Sequence, residues 1–142
     1  NIDRKRHLIM QPELMNALVL AYIGDAILEV KVRDYLVLDK LVAKPNDLQK
    51  QAVAYVGAKA QASFVKYAKE KQIFNEKELD WYRRGRNAKG RARVKNMSIQ
   101  THNESTGFEA VIGTLHLLQE DGRINELFKC YCDFVEMEKE EL

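Results

Sequence analysis

The sequence of 142 residues is poor in the residue types that interrupt or cross-link a fold. It has two prolines and seven glycines, too few for a disordered, collagen-like or loop-rich all-β chain. Two cysteines in a chain of this length do not make a disulfide framework. No apolar run approaches the roughly 20 residues of a membrane-spanning helix, and the stretch from Asn1 to His7 lacks the pattern of a secretory signal. These absences favour a soluble, cytoplasmic protein without a membrane partner.

Length and composition favour a single domain over residues 1–142, with frayed tails at 1–10 and 136–142. Hydrophobic residues make up 46% of the chain and charged residues 31%. A chain of this size buries roughly two thirds of its unfolded surface. We therefore expect a core that forms without disulfide bonds.

Positive charge is concentrated in one segment, although the net charge is only +2. No acidic residue lies between Asp80 and Glu104, and without the seven basic residues of this interval the remaining chain carries −5. The basic residues are Arg83, Arg84, Arg86, Lys89, Arg91, Arg93 and Lys95. A basic segment on an otherwise acidic domain indicates a site for a polyanion. The alternative is a flexible surface loop whose charges are merely solvated.

Helical periodicity runs through almost every segment, and alternating strand patterns are scarce. The chain is therefore predicted to be an all-α domain of about six or seven helices. The longest is predicted from about Glu13 to Leu38, and a helical pattern with a break near Gly57 leads to about Lys71. Further helices are predicted from Asn75 to about Gly85, from Glu104 to Gln119 and from Ile124 to Val135.

Two asparagines are candidate helix caps. Asn46 follows Lys44-Pro45 and could accept hydrogen bonds from the first free amides of a helix. Asn75-Glu-Lys-Glu78 has the spacing of a capping box, in which the residue at the cap and the one three positions later bind each other's backbone amides.

Asp25 is the most unusual residue of the long helix, because its helical neighbours Ala21, Leu28 and Val32 are apolar. A carboxylate on an apolar face is costly unless it is paired, hydrogen-bonded or bound to a metal. Gly24 beside it lowers helix stability by roughly 1 kcal/mol relative to Ala, which is tolerable where something approaches closely. Two interpretations of Asp25 remain equally open: a structural ion pair with Arg or Lys, and a functional role.

Glu109 repeats this pattern in a second apolar segment, between Gly107 and Gly113. If the two carboxylates were neighbours they would repel each other, unless a cation lay between them. Oxygen ligands without a supporting His or Cys cluster favour a hard ion such as Mg²⁺ or Mn²⁺. The sequence thus suggests, without establishing their proximity, that Asp25 and Glu109 share a metal ion.

Two short motifs resemble the signatures of the ribonuclease III family. Tyr22-Ile-Gly-Asp-Ala-Ile27 is similar to its Gly-Asp helix, and Phe108-Glu-Ala-Val-Ile-Gly113 is similar to its second acidic signature. Together with Lys44-Pro-Asn-Asp47 and Arg84-Gly-Arg-Asn-Ala-Lys89, they make the chain resemble the compact bacterial Mini-ribonuclease III branch, which lacks a separate double-stranded-RNA-binding domain. The resemblance spans about Leu14 to Leu118 and implies the helical fold of the ribonuclease III endonuclease domain.

The sequence departs from full-length ribonuclease III at two of its four usual acidic positions. A Glu four residues before the signature Asp is replaced by Ala21, and an Asp three residues before the second Glu is replaced by Thr106. The compact branch shares this reduction, so activity is still expected, with one metal ion per site preferred over two. Thr106 and Glu29 could contribute to that site through water.

The resemblance implies an endoribonuclease that cleaves double-stranded RNA and leaves a 5′-phosphate and a 3′-hydroxyl. Its implied substrate is precursor 23S ribosomal RNA, which it would cleave during maturation. Asp25 and Glu109 would be catalytic and would hold Mg²⁺, with Mn²⁺ as a substitute. A two-fold homodimer would supply one site for each strand, with Tyr22 at its interface, unless Tyr22 is an ordinary core aromatic. The residues expected to bind RNA are Arg84, Arg86, Asn87, Lys89, Arg91, Arg93 and Lys95.

Two other functions compete with this one. A non-catalytic RNA-binding protein of the same fold would explain the missing acidic positions, but intact Asp25 and Glu109 argue against it. A helical protein-interaction module would leave the clustered positive charge unexplained.

Overall fold

The computed structural model describes residues 11–90 and 97–141, and every regular element in these two ranges is helical. The six α-helices are α1 (Ala17–Asp34), α2 (Pro45–Ala52), α3 (Ala58–Glu70), α4 (Glu76–Arg86), α5 (Ile99–Leu117) and α6 (Asp121–Glu140). A 3₁₀ turn at Pro12–Leu14 precedes α1, and a π-helical turn at Tyr35–Asp39 follows it. The all-α prediction is confirmed. None of the described helices is both long enough and apolar enough to cross a membrane.

The helix starts show which cap predictions hold. The Asn75 side chain accepts from the amide of Glu78 at 2.9 Å, and the Glu78 carboxylate accepts from the amide of Asn75 at 3.0 Å, so the capping box is confirmed. The prediction for Asn46 is wrong, because α2 begins at Pro45 and leaves Asn46 inside the first turn. Proline at the first helical position has its φ preset for a helix and needs no partner for an N–H, so the start falls before the asparagine.

The C-terminal helix is longer than the sequence predicted. Residues 136–140 are helical rather than a frayed tail, since α6 continues to Glu140. The Glu136 carboxylate accepts hydrogen bonds from the Tyr35 and Tyr55 hydroxyls and forms an ion pair with Lys40 at 2.8 Å. These contacts lower the pKa of Glu136 to about 2, chiefly through Lys40 and then Tyr55. They tie the last turns of α6 to the π-helical turn and to the loop before α3.

Helix α5 is the centre of the domain. Its residues from Ser105 to Leu115 are buried, apart from half-buried Glu109. A helix that is apolar nearly all round must be enclosed by other elements, and α1, α3, α4 and α6 all pack against α5. Phe64 of α3 lies with its ring centroid 5.4 Å from that of Phe108, which joins the aromatic core to this helix.

Two glycines let the backbones of α1 and α5 touch. A Cβ added to Gly24 would lie 1.8 Å from the carbonyl oxygen of Glu109, and one added to Gly113 would lie 1.9 Å from the carbonyl oxygen of Leu20. Non-bonded carbon atoms never approach oxygen this closely, so only glycine fits at either position. The crossing sets the turn of α1 that carries Asp25 beside the turn of α5 that carries Glu109.

Candidate active site

The structure brings the two predicted carboxylates together. The two side chains interact across the crossing of α1 and α5, where Asp25 helps to raise the pKa of Glu109. Adjacency, which the sequence left open, follows from the glycine contacts, because a wider helix separation would move the two side chains apart. The site therefore consists of one acidic side chain from each of two directly apposed helices.

Glu109 is the more enclosed member of the pair. Burial, followed by hydrogen bonding to Asp25 and the negative charge of Asp25, together raise the pKa of Glu109 to about 9. Glu109 is consequently protonated at neutral pH while no cation lies between the two groups. A bound cation would reverse this preference, because ligand carboxylates release their protons when a metal binds.

Asp25 is exposed, in contrast to the apolar setting that its helical neighbours suggested. Leu28 and Val32 are buried as expected, but Asp25 lies at the edge of their face, where no other described element covers it. Among the described residues no Arg or Lys forms an ion pair with it, so the purely structural ion-pair interpretation is not supported. The less exposed acid of this site is Glu109.

A cleft of about 240 Å³ opens beside Asp25. Its walls come from α1, from the loop before α3 and from the start of α3. The lining residues are Asp25, Leu28, Glu29, Val32, Tyr55, Val56, Gly57 and Gln61. Glu29 forms an ion pair with Arg33 at 2.8 Å, one turn further along α1. The cleft thus places the exposed carboxylate where a ligand can reach it.

The two positions that lack the family's acidic residues are both buried. Ala21 packs in a small apolar cluster with Leu20 and Ala110. The Thr106 hydroxyl donates a hydrogen bond to the carbonyl oxygen of His102 at 2.9 Å. The Thr106 hydroxyl thus has a partner on its own helix, and its contribution to the site through water stays a prediction.

The residues present fit a single hard cation. No cluster of three or more His, Cys, Asp and Glu side chains that could hold a metal occurs within residues 11–90 and 97–141. Mg²⁺ does not require such a cluster, because it is usually bound through one or two carboxylates and completes its shell with water and substrate phosphate. The oxygen-only pair of Asp25 and Glu109, with Asp25 open to the cleft, meets this requirement.

The basic segment is only partly a loop. Arg84 and Arg86 lie in the last turn of α4, and Asn87 is its C-terminal cap, so this part of the basic segment is helical and is not a flexible surface loop. The Arg84 guanidinium donates to the carbonyl oxygens of Glu13 and Met15 at 2.5 and 2.6 Å, and thereby holds the chain that leads into α1. Lys89 follows the helix and is exposed. Arg91, Arg93 and Lys95 lie outside the described residues.

Tyr22 projects from the surface of α1. Its side chain is 81% exposed, so its interpretation as an ordinary core aromatic is wrong. Val19, one turn earlier, is also exposed, as is Leu14 just before the helix. An aromatic ring with two aliphatic neighbours on the surface is typical of an interaction site.

Gln61 is the residue of the cleft that the sequence did not single out. It lies within the alanine-rich stretch of α3, and neither spacing nor neighbouring residues distinguish it from a solvent-facing glutamine. Its burial depends on how α3 packs against α5, which a sequence pattern does not record.

A helical domain with one carboxylate on each of two crossing helices defines a class of protein, and comparison with known protein families identifies it. The family model "Ribonuclease III domain" matches residues 18–120, which is more than half of the chain. The chain belongs to the ribonuclease III family. The match contains both acidic residues and the whole glycine crossing.

The relatives place the chain in a particular branch of that family. It is 45% identical to Mini-ribonuclease 3 of Staphylococcus aureus over 81% of this chain and 85% of the relative. It is 46% identical to Mini-ribonuclease 3 of Enterococcus faecalis over 80% of this chain and 85% of the relative. The resemblance to the Mini-ribonuclease III branch is confirmed.

A solved structure supports the fold independently. The X-ray crystal structure of a protein from Fusobacterium nucleatum superposes with a TM-score of 0.72 and 26% sequence identity, over 80% of this chain and 90% of the other. The ribonuclease III domain fold predicted from the two motifs is confirmed.

Proposed function

We propose that this protein is a metal-dependent endoribonuclease that cleaves double-stranded RNA. The observation that carries the proposal is the apposed pair of Asp25 and Glu109 at the crossing of two helices in a ribonuclease III domain. A non-catalytic RNA-binding protein would not need to keep a buried carboxyl group against a second carboxylate, because such a pair costs stability when nothing binds between them.

Asp25 and Glu109 would hold Mg²⁺ or Mn²⁺, and the bound ion would supply an activated water and stabilise the charge on the phosphate in flight. Glu109 contributes a ligand fixed by the packing of α5, and Asp25 contributes one that faces the substrate. Both side chains must be ionised to bind the ion, so Glu109 gives up the proton that it holds in the free protein. Hydrolysis would leave a 5′-phosphate and a 3′-hydroxyl.

The proposed natural substrate is precursor 23S ribosomal RNA, processed in the cytoplasm. Membership in the Mini-ribonuclease III branch supports this assignment. The described residues of one domain contain one pair of Asp25 and Glu109, which suits cleavage of one strand at a time. A duplex stem of that precursor is therefore the substrate to test beside a generic duplex.

The first test is removal of the metal. A long RNA duplex at low salt is expected to be cleaved with Mg²⁺ and to remain intact with EDTA, because two carboxylates alone provide no activated water. Gel analysis and end mapping should show 5′-phosphate and 3′-hydroxyl ends. Cleavage that persists in EDTA would contradict the proposed mechanism. Survival of both the long duplex and a precursor ribosomal RNA stem with Mg²⁺ would favour the binding-protein alternative.

We also propose that the protein forms a two-fold homodimer through the exposed face of α1 around Tyr22. Cleavage of both strands needs two sites with antiparallel symmetry, and a two-fold axis supplies them. The exposed ring of Tyr22 fits a contact that is buried only in the dimer.

Replacing Tyr22 by Asp is expected to shift the protein from dimer to monomer, because an aromatic anchor at an interface is exchanged for a charge. Sedimentation velocity measures the shift, and the helical circular dichroism spectrum should be retained. Val30→Asp changes another exposed apolar residue of the same helix and is the matched control. A dimer that survives Tyr22→Asp unchanged would exclude this interface.

The basic segment is proposed to hold the RNA backbone. A-form RNA is recognised largely through its shape, its phosphates and its 2′-hydroxyls, and Lys89, Arg91, Arg93 and Lys95 provide cations for phosphates. Asn87 would contact a 2′-hydroxyl. Arg84 and Arg86 remain candidates, although Arg84 binds the chain before α1 and Arg86 lies over the Tyr82 ring at 5.5 Å.

Neutralising Lys89, Arg91 and Arg93 together, each to Ala, is expected to weaken duplex binding and flatten its dependence on salt. Each lost phosphate contact lowers the slope of log K against log salt by roughly 0.7–0.9, so three contacts lower it by roughly 2–3. Filter binding between 50 and 200 mM salt, about the range over which such contacts matter, measures the slope.

The control for this experiment removes three exposed lysines on other helices. Lys50 of α2, Lys77 of α4 and Lys129 of α6 change the net charge by the same amount. If both triple variants lower the slope equally, the effect belongs to net charge and the basic segment has no special role.

A further inference from the structure

Gln61 lies in the cleft beside Asp25 and is 6% exposed. Among the residues that line this cleft it has the only side chain with N–H donors. Asp25 and Glu29 are acceptors when ionised, and the Tyr55 hydroxyl is engaged by Glu136. Any anionic group that enters the cleft would therefore find its side-chain N–H partner in Gln61.

The orientation of the Gln61 carboxamide is set by a buried hydrogen bond. The Ser105 hydroxyl donates to Oε1 of Gln61 at 2.6 Å. Ser105 lies four residues before Glu109 on α5, which places the two on one face of the helix, about 6 Å apart along its axis. The carboxamide is thus anchored one helical turn from the buried carboxyl group of the site.

The nitrogen end of the carboxamide is left for a ligand. A glutamine amide carries two N–H donors, and among the described residues neither has a hydrogen-bond acceptor. Because Gln61 lines the cleft, a ligand there can accept from this amide, and a donor that meets the substrate in a preorganised position contributes to catalysis.

We propose that Gln61 is a substrate-contacting residue whose carboxamide N–H donates to a non-bridging oxygen of the scissile phosphate. The inference rests on the proposed nuclease function. The phosphate would lie in the cleft between Gln61 and the carboxylate pair, where the added negative charge of the transition state faces the fixed N–H donor. Ser105 acts as a positioning residue, because it holds the amide oxygen and so directs the nitrogen.

The test uses Gln61→Met, which keeps a long unbranched side chain and removes the donors. On a short duplex with one cleavage site, the single-turnover rate constant is expected to fall by about 100-fold, the effect of losing one such donor. The dissociation constant for the duplex with Ca²⁺ and the melting temperature should stay near those of the wild type. Gln100→Met, at an exposed position of α5, is the matched control and should cleave normally.

A sulfur substitution distinguishes contact from packing. Replacing the contacted non-bridging oxygen of the scissile phosphate by sulfur should slow the wild type and slow Gln61→Met no further, because the variant has already lost that hydrogen bond. Mn²⁺ should not restore the rate at which the wild type cleaves this sulfur-substituted RNA. It would restore the rate if sulfur had replaced a metal-bound oxygen. Ser105→Ala, a milder change, is expected to lower the rate by about tenfold with the melting temperature retained.

Several results would overturn the inference. The first is an unchanged cleavage rate in Gln61→Met. The second is a rate loss that is matched by a loss of folded protein in both Gln61→Met and Ser105→Ala. The third is that Gln61→Met and sulfur slow cleavage by independent, multiplicative factors, whichever of the two non-bridging oxygens sulfur replaces. Failure of the wild type to cleave any duplex would remove the proposed function itself, and the inference with it.

Discussion

Asp25→Asn is expected to abolish the cleavage of double-stranded RNA while leaving the RNA bound. Asn keeps the size of the side chain and removes one of the two carboxylates that would hold the metal. A bound metal supplies several kcal/mol of transition-state stabilisation, and each 1.36 kcal/mol is tenfold in rate, so we expect a loss of about 10³-fold or more. Single-turnover cleavage with Mg²⁺ measures the loss, and a gel-shift assay measures binding.

The folded state of this variant should be at least as stable as that of the wild type without metal. Asp25 raises the pKa of Glu109 through a hydrogen bond and through its negative charge, and Asn removes the charge. Asp34→Asn, at the exposed end of the same helix, is the matched control and should cleave at the wild-type rate. Full activity in Asp25→Asn would remove Asp25 from the site.

Gly113→Ala is expected to be strongly destabilising. The new Cβ would lie 1.9 Å from the carbonyl oxygen of Leu20, and a backbone atom cannot rotate out of the way as a side chain can. Overpacking costs about 1–3 kcal/mol and occasionally more, and we place this variant at about 3 kcal/mol or above. Urea unfolding, followed by circular dichroism, measures the free energy of unfolding.

The fraction of Gly113→Ala that remains folded should also be less active than the wild type. Pushing α1 away from α5 separates Asp25 from Glu109, so the metal would lose its second ligand. Gly122→Ala is the matched control, because a Cβ at Gly122 in the first turn of α6 meets nothing within 4 Å, and Ala favours a helix over Gly by up to about 1 kcal/mol. Equal stability of the two alanine variants would contradict the close crossing.

Sequence signals predicted the helices well where the signal lies within a few consecutive residues. The capping box at Asn75 needs only four consecutive residues, and both of its hydrogen bonds are present. The prediction for Asn46 failed because Pro45 is the stronger start signal at the same place. The end of α6 was missed because Glu136 is held by Tyr35, Tyr55 and Lys40, which are distant in the sequence.

The site was predictable in its chemistry and less so in its geometry. Acidic residues in apolar helical segments predicted Asp25 and Glu109 as ligands of a metal ion, and glycines near each suggested a close approach. Which of the two is more enclosed depended on the elements that cover them, and the structure leaves Glu109 half-buried and Asp25 exposed. Tyr22 could be identified as a surface residue only once its helix was placed.

The sequence by itself determined the helical class, the segments that form the helices and the two carboxylates available to a cation, because periodicity, capping and residue type act over a few neighbouring positions. The tertiary structure decided that these carboxylates meet, since their meeting depends on Gly24 and Gly113 bringing two helix backbones into contact. It also decided that Gln61 faces the cleft, because its environment is made by α1 and α5, which are remote in the chain. Contacts between distant segments leave no periodic pattern, so they emerge only when the helices are packed.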